Sequence, residues 1–178
     1  MARKTYIVLL RAVMPRGKNK VPMAELRRVL SEAGFQNSRT YIQSGNALVE
    51  SELSPQQIEE QVRQLIKSEI GPDLVVIVRT RAQLQEVLDN NPFKEGYDIS
   101  RVFFVFFGER PAAEKVNELL AQDFGDEKLS ITKDAAYMYI PGSYGGKLSN
   151  NFLERKLGVS ATMRNFNTLS KLVELSAP

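Results

Sequence analysis

The chain of 178 residues contains neither histidine nor cysteine. Without imidazole there is no side chain whose ordinary pKa places a charge change near neutral pH, and without a thiol there is no thiolate nucleophile. Ser-His-Asp and Cys-His catalytic arrangements are excluded, as are zinc sites built on His or Cys. Disulfides are excluded as well. What remains is Asp, Glu, Lys, Arg, Tyr, Ser and Thr. Any chemistry would have to be electrostatic, carboxylate-based, or carried by a cofactor or hard cation. No catalytic residue and no metal ligand is assigned, and no cofactor is indicated.

Long apolar runs are also lacking. None approaches the roughly 20 residues that span a bilayer, so no membrane partner is expected. The apolar stretch near the start is interrupted at Arg11 before any cleavage-site pattern, which argues against a secretory signal. A soluble cytoplasmic protein is expected. The hydrophobic content of 43% is that of a globular chain, and the length allows one large domain or two small ones. Net charge is only +3, but it is unevenly spread. Residues 1–50 carry nine Lys/Arg against three Asp/Glu, residues 51–140 ten against sixteen, and residues 141–178 five against two. Basic ends flanking an acidic middle point to an anionic partner; an uneven but merely solvated surface accounts for them equally well.

Tyr6-Ile7-Val8-Leu9-Leu10 reads as a buried strand. A basic loop follows, and Pro22 opens a helix whose Met23, Leu26, Val29, Leu30 and Ala33 recur at helical spacing up to Gly34. Thr40-Tyr41-Ile42 and Ala47-Leu48-Val49 read as strands around the turn Gln43-Ser44-Gly45-Asn46. Ser54-Pro55-Gln56-Gln57 is a capping box for a helix burying Ile58, Val62, Leu65 and Ile66, and Leu74 to Val78 is a further strand. This order, βαββαβ, defines a ferredoxin-like unit. Thr80 and Gln83 form a second capping box, for a short helix that ends at Asn90-Asn91-Pro92. The pattern then restarts. Val102 to Phe107 is a strand, Pro111 opens a helix, and two strands flank Lys133-Asp134. Pro141 to Gly146 is a loop, Ser149 caps another helix, and a last helix runs near Thr168 to Leu175. The predicted fold is α+β: two ferredoxin-like units in tandem, residues 1–79 and 101–178, joined by a linker helix and loop over 80–100. The second unit reads as incomplete, βαββα with an extra C-terminal helix. Phe103 to Phe107 is apolar at both strand parities, so both faces of that strand should be covered. The second cover could be the first half, the linker helix or a second subunit, which places a homodimer among the expected partners.

In a βαββαβ unit the loop leaving the first strand and the hairpin after the second emerge at one end of the sheet. Lys18, Asn19 and Lys20 should therefore share a pocket with Gln43, Ser44 and Asn46. The loop also enters a helix N-terminus, whose N–H groups and dipole favour an anion. This is a cradle for phosphate or carboxylate; a plain hairpin turn with solvated lysines fits the same residues. A second tract holds Lys147 and Arg155 around the Ser149 helix, then Arg164, Asn165 and Thr168. Arg beside Asn suits bidentate recognition of phosphate. The same residues would also serve if Asn167 or Thr168 capped the helix and Arg164 paired with an acid. Tyr41, Tyr137, Tyr139 and Tyr144 could stack a base, although core packing explains the strand tyrosines better, and no RNP1 pattern is present.

Three tracts together carry a resemblance: Gly17-Lys18-Asn19-Lys20-Val21-Pro22-Met23-Ala24-Glu25-Leu26, then Arg39-Thr40-Tyr41-Ile42-Gln43-Ser44-Gly45-Asn46, then Ala161-Thr162-Met163-Arg164-Asn165-Phe166-Asn167-Thr168. Read along essentially the whole chain, they resemble the bacterial domain-of-unknown-function family 1697. The resemblance implies a small α+β protein with ferredoxin-like halves, and brings with it no catalytic residues. Similar sequences carry a Gly- and Asn-containing run after the first strand. Here Ala12-Val13-Met14-Pro15-Arg16 stands in its place, with Arg16 offering charge in place of backbone donors.

Three functions compete. The first is a binding protein for an anionic ligand, a nucleotide or nucleic-acid phosphate, at the basic loops. The second is a small-molecule enzyme in which Lys or Arg stabilises developing negative charge. The third is a structural or interaction module. The basic, convergent loops favour the first.

Overall fold

The computed structural model describes residues 2–142 and 146–178. The elements of the first sheet follow in the order β1 (Lys4–Leu10), α1 (Met23–Glu32), β2 (Gln36–Thr40), β3 (Asn46–Ser51), α2 (Pro55–Glu69) and β4 (Val76–Thr80). The strands lie in the order β2-β3-β1-β4. Each neighbour pair is antiparallel, so β1 and β2 are parallel with β3 between them, and β3 and β4 are parallel with β1 between them. Two interleaved split βαβ connections make the ferredoxin-like arrangement. Tyr6, Val8 and Leu10 of β1 join Leu26, Leu30, Ile58, Val62 and Ile66 in one core. The alternate residues Ile7 and Leu9 are fully buried too.

The two capping boxes form as expected. The Ser54 hydroxyl accepts from the Gln57 N–H and the Gln57 side chain accepts from the Ser54 N–H. Thr80 and Gln83 repeat the exchange at the start of α3 (Arg81–Asp89). These pairs satisfy donors that a helix start leaves open. One boundary moves. The sequence places a strand at Thr40-Tyr41-Ile42, but pairing runs through Arg39↔Leu48 and Thr40↔Ala47 and then stops. Ile42 has a left-handed φ of 50°, which ends the extended run. The strand instead extends backwards through the polar Gln36 to Arg39, as a half-exposed edge can tolerate.

The second sheet is built from β5 (Val102–Phe107), α4 (Ala113–Leu120), β6 (Lys128–Ile131), β7 (Ala135–Tyr139), α5 (Asn150–Leu157) and β8 (Ala161–Asn165), and is followed by α6 (Phe166–Leu175). Its order is β6-β7-β5-β8, the first sheet's pattern repeated. The incomplete second unit is therefore corrected: β8 pairs with β5 from Phe103↔Asn165 to Phe107↔Ala161 and completes βαββαβ. The sequence signal failed because the inward parity of β8 is polar. Thr162 and Arg164 are both buried, and an Arg164 Nη1 donates to the Thr162 hydroxyl. Val105 and Phe107 pack with Leu119, Met138 and Leu153, and Phe103 is half-buried against the same cluster. On the other parity Phe104 meets Tyr137 and Phe166 edge-on or tilted, and the Tyr137 hydroxyl donates to the Val87 carbonyl of α3 at 2.8 Å. Both faces of β5 are thus covered, and α3 contributes to the second cover.

The chain divides into two compact units: residues 1–84 with 172–178, and residues 85–171. The divisions fall inside α3 and α6.

Candidate functional site

The C-terminal end of β1 gathers three loops of the first unit. The Leu10 N–H donates to the Gly45 carbonyl at 2.9 Å and the Arg11 N–H to the Val75 carbonyl at 3.0 Å. This brings the β1–α1 loop, the β2–β3 turn and the segment entering β4 to one place, as the antiparallel topology requires. Five residues here have left-handed backbones: Ala12, Gly17, Ile42, Gly45 and Gly71. Gly45 is fixed by close packing as well as by conformation. A Cβ there would lie 2.7 Å from Val13 Cγ2 and 3.0 Å from Leu10 Cβ, so only glycine lets the turn close on the strand end.

Lys18 and Lys20 line an open depression of about 380 Å³ together with Gly17, Pro22 and Glu25. Its far wall is the end of α2 and the turn after it, Glu69 to Pro72. Gln43, Ser44 and Asn46, expected to share a pocket with the lysines, are not among the residues that line this depression. Gln43 and Ser44 are exposed at the hairpin tip. Asn46 is fully buried, and its amide donates to the Tyr41 carbonyl and the Ser44 hydroxyl. It shapes the turn. Asn19 is half-buried, and its carbonyl accepts from the Met14 N–H. The residues the sequence reading missed are Glu25, Glu69 and the Gly71-Pro72 turn. They were recoverable, since α2 must return to the end where β4 begins, which is where β1 ends.

The electrostatics of the depression are mixed. Glu25 is bonded to Arg28 at 2.8 Å, and Arg28 also holds Glu32. These two carboxylates raise the Arg28 pKa, the hydrogen bond that Arg28 donates to Glu25 first. Glu69 stands opposite the lysines. The helix α1 starts with Pro22 in the cap position, and no side chain caps its N–H groups.

The residues of the second tract make contacts within the protein. Lys147 Nζ donates to the Asp123 carbonyl at 3.4 Å, a long hydrogen bond. Arg155 and Lys156 lie 5.6 and 5.8 Å from the Phe152 ring centre. Arg164 is buried and also donates to the Met163 carbonyl. Loss of hydration pushes its pKa down to about 10, so it keeps its charge at neutral pH. The α6 cap is Asn165, whose side-chain oxygen accepts from the Thr168 N–H; it is neither Asn167 nor Thr168. Thr168 is itself buried. Of the tyrosines, Tyr137 is core, with burial raising its pKa to about 12. Tyr139 packs edge-on against Tyr97 at 4.9 Å, Tyr41 is half-buried, and Tyr144 lies outside the described residues. Among the described residues no group of three acids could hold a metal ion, and no helix is long and apolar enough to cross a membrane.

Fold and loops together define a tandem α+β protein of two four-stranded antiparallel sheets, with a basic loop cluster at one end of the first. The chain belongs to the family described as "Protein of unknown function (DUF1697)", which matches residues 3–137. Among solved structures it is similar to the conserved bacterial protein SP0830 from Streptococcus pneumoniae, with a TM-score of 0.74 and 24% identity over 99% of this chain and 100% of that one. That likeness carries the fold. No curated protein matches.

Proposed function

We propose that the protein binds a phosphate-bearing anion, a nucleotide or the backbone of a nucleic acid, at the loop end of its first unit. One observation carries this reading. The N-terminus of α1 has no side-chain cap and opens into a depression flanked by Lys18 and Lys20. Unsatisfied N–H groups and the positive end of the helix dipole favour an oxyanion there, and two ammonium groups add to the attraction. Arg28 partly neutralises Glu25, which leaves the lysines less opposed. Glu69 on the opposite wall is an acceptor suited to hydroxyl or amino groups on the rest of the ligand, and so favours a nucleotide over inorganic phosphate.

The test is titration with inorganic phosphate, a nucleoside monophosphate and a labelled single-stranded oligonucleotide at two salt concentrations. The double variant Lys18→Ala/Lys20→Ala should bind at least roughly tenfold more weakly, the equivalent of about 1.4 kcal/mol. With the oligonucleotide it should also flatten the slope of log affinity against log salt by about 0.7 for each phosphate that the lysines no longer neutralise. Unchanged affinity and unchanged salt slope would remove this loop from the site.

A further inference from the structure

The same loop end carries apolar surface that the anion site leaves unused. Met14 is 52% exposed and Ile42 is 50% exposed. They come from the two segments that Gly45 locks together against Leu10 and Val13. Ile42 stands out because a β-branched side chain in the left-handed region is strained. Half of its surface meets solvent, so packing within the unit does not account for the strain. The loop that carries Met14 is itself basic, although Glu25 and Glu69 stand near its lysines. Residues 11–20 contain Arg11, Arg16, Lys18 and Lys20 and no acid. An apolar patch with a basic rim calls for a partner that is apolar at its centre and acidic around it.

Such a surface lies on the second unit. Residues 113–127, which are α4 and the turn after it, hold five acids and one lysine. Glu114 and Glu118 are one turn apart and exposed. Leu120, at the end of the helix, is 41% exposed although it is a large apolar residue.

We propose that α4 of a second copy of this chain docks on the loop end of the first unit, with Leu120 against Met14 and Ile42 and with Glu114 and Glu118 facing Lys18 and Lys20. The inference does not rest on the anion-binding reading. A two-fold pair would make this interface twice, whereas a one-way arrangement would build longer assemblies; both are association through this surface.

Sedimentation of the full chain in low and high salt tests it with a charge swap. The wild type should self-associate in low salt, and its dissociation constant should rise roughly tenfold or more in high salt as the charges are screened. Lys18→Glu/Lys20→Glu and Glu114→Lys/Glu118→Lys should each be monomeric. An equimolar mixture of the two should associate again, because each then offers the charge the other lacks. A thermal melt establishes that the variants are folded. Ile42→Gly and Leu120→Ser, which change no charge, should weaken association by the same test. The Glu114→Lys/Glu118→Lys variant leaves the anion-site residues intact, so it should lose association while binding nucleoside monophosphate at least as tightly as the wild type, whose acids compete for the same lysines. A wild type that stays monomeric in low salt up to about 200 μM, a mixture that stays monomeric, or double variants that associate like the wild type would each overturn the proposal.

Discussion

Two residues of the β2–β3 turn have left-handed backbones for opposite reasons. Gly45 has a φ of 86° and no space for a Cβ. Gly45→Ala should destabilise the fold by about 1–3 kcal/mol, since strain and overpacking act together. Urea denaturation checks this, and an unchanged midpoint would mean that the turn can move off Leu10 and Val13. Ile42 has the same backbone without the close packing. Ile42→Gly removes strain of about 1–2 kcal/mol and adds unfolded-state entropy of up to about 1 kcal/mol. Its melting temperature should therefore be unchanged or raised, although a half-exposed apolar side chain is removed. A clear drop would show that Ile42 packs well enough to offset its backbone. Arg164 illustrates a third case. It is a buried guanidinium satisfied by Thr162 and by its own strand, and it reads in sequence as a ligand-binding arginine.

The repeated unit carries a repeated device at its edges. In the first unit Glu59 of α2 accepts the Val78 N–H of the edge strand β4 at 3.0 Å. In the second, Glu154 of α5 accepts the Ala161 N–H of the edge strand β8 at 2.9 Å. Helix carboxylates thus occupy N–H groups that would otherwise template a foreign strand. Glu59→Ala should cost about 1–3 kcal/mol, because the N–H is left half-buried and unpaired. Burial raises the Glu59 pKa above its usual value, against the smaller opposing effects of the Val78 bond and Arg79. The folded state therefore holds that proton more tightly than the unfolded chain. Ionising Glu59 reduces stability progressively as pH rises from the unfolded value through the raised one. Glu59→Gln keeps an acceptor for Val78 and does not ionise. Its stability relative to wild type should be near zero at about pH 4 and improve toward neutral pH. A relative stability that does not change with pH would show that the carboxylate is not titrating in that environment.

At the scale of the whole molecule the absence of histidine makes a simple prediction. No side chain of this composition has an ordinary pKa between about pH 6.5 and 8. The urea midpoint should be flat across that window. It should fall in acid, where Asp73, held below the usual carboxylate range chiefly by its hydrogen bond from Arg63, takes up a proton and loses that partner. A midpoint that moves between those limits would reveal a carboxylate titrating far above its normal range.

Helical periodicity, the Ser54 and Thr80 capping boxes, the Ser149 cap and the doubly apolar strand Val102 to Phe107 all depend on near neighbours or on the composition of one segment. They were legible in the sequence for that reason, and from their order followed the α+β class and the duplicated unit. The strand Ala161–Asn165 was not legible, because its buried parity presents Thr162 and Arg164, whose mutual hydrogen bond exists only once the strand is placed beside β5. The candidate site was legible in part. The lysines and the end of the sheet at which they lie follow from chain order, but which loop faces them does not. Asn46 and Lys18 look alike in sequence as polar loop residues. Tertiary packing turned Asn46 inward to bond the turn and set the end of α2, with Glu69, opposite the lysines. Such choices depend on the burial of groups distant in the chain, and a polar residue carries no mark of whether its partner will be the backbone or a ligand.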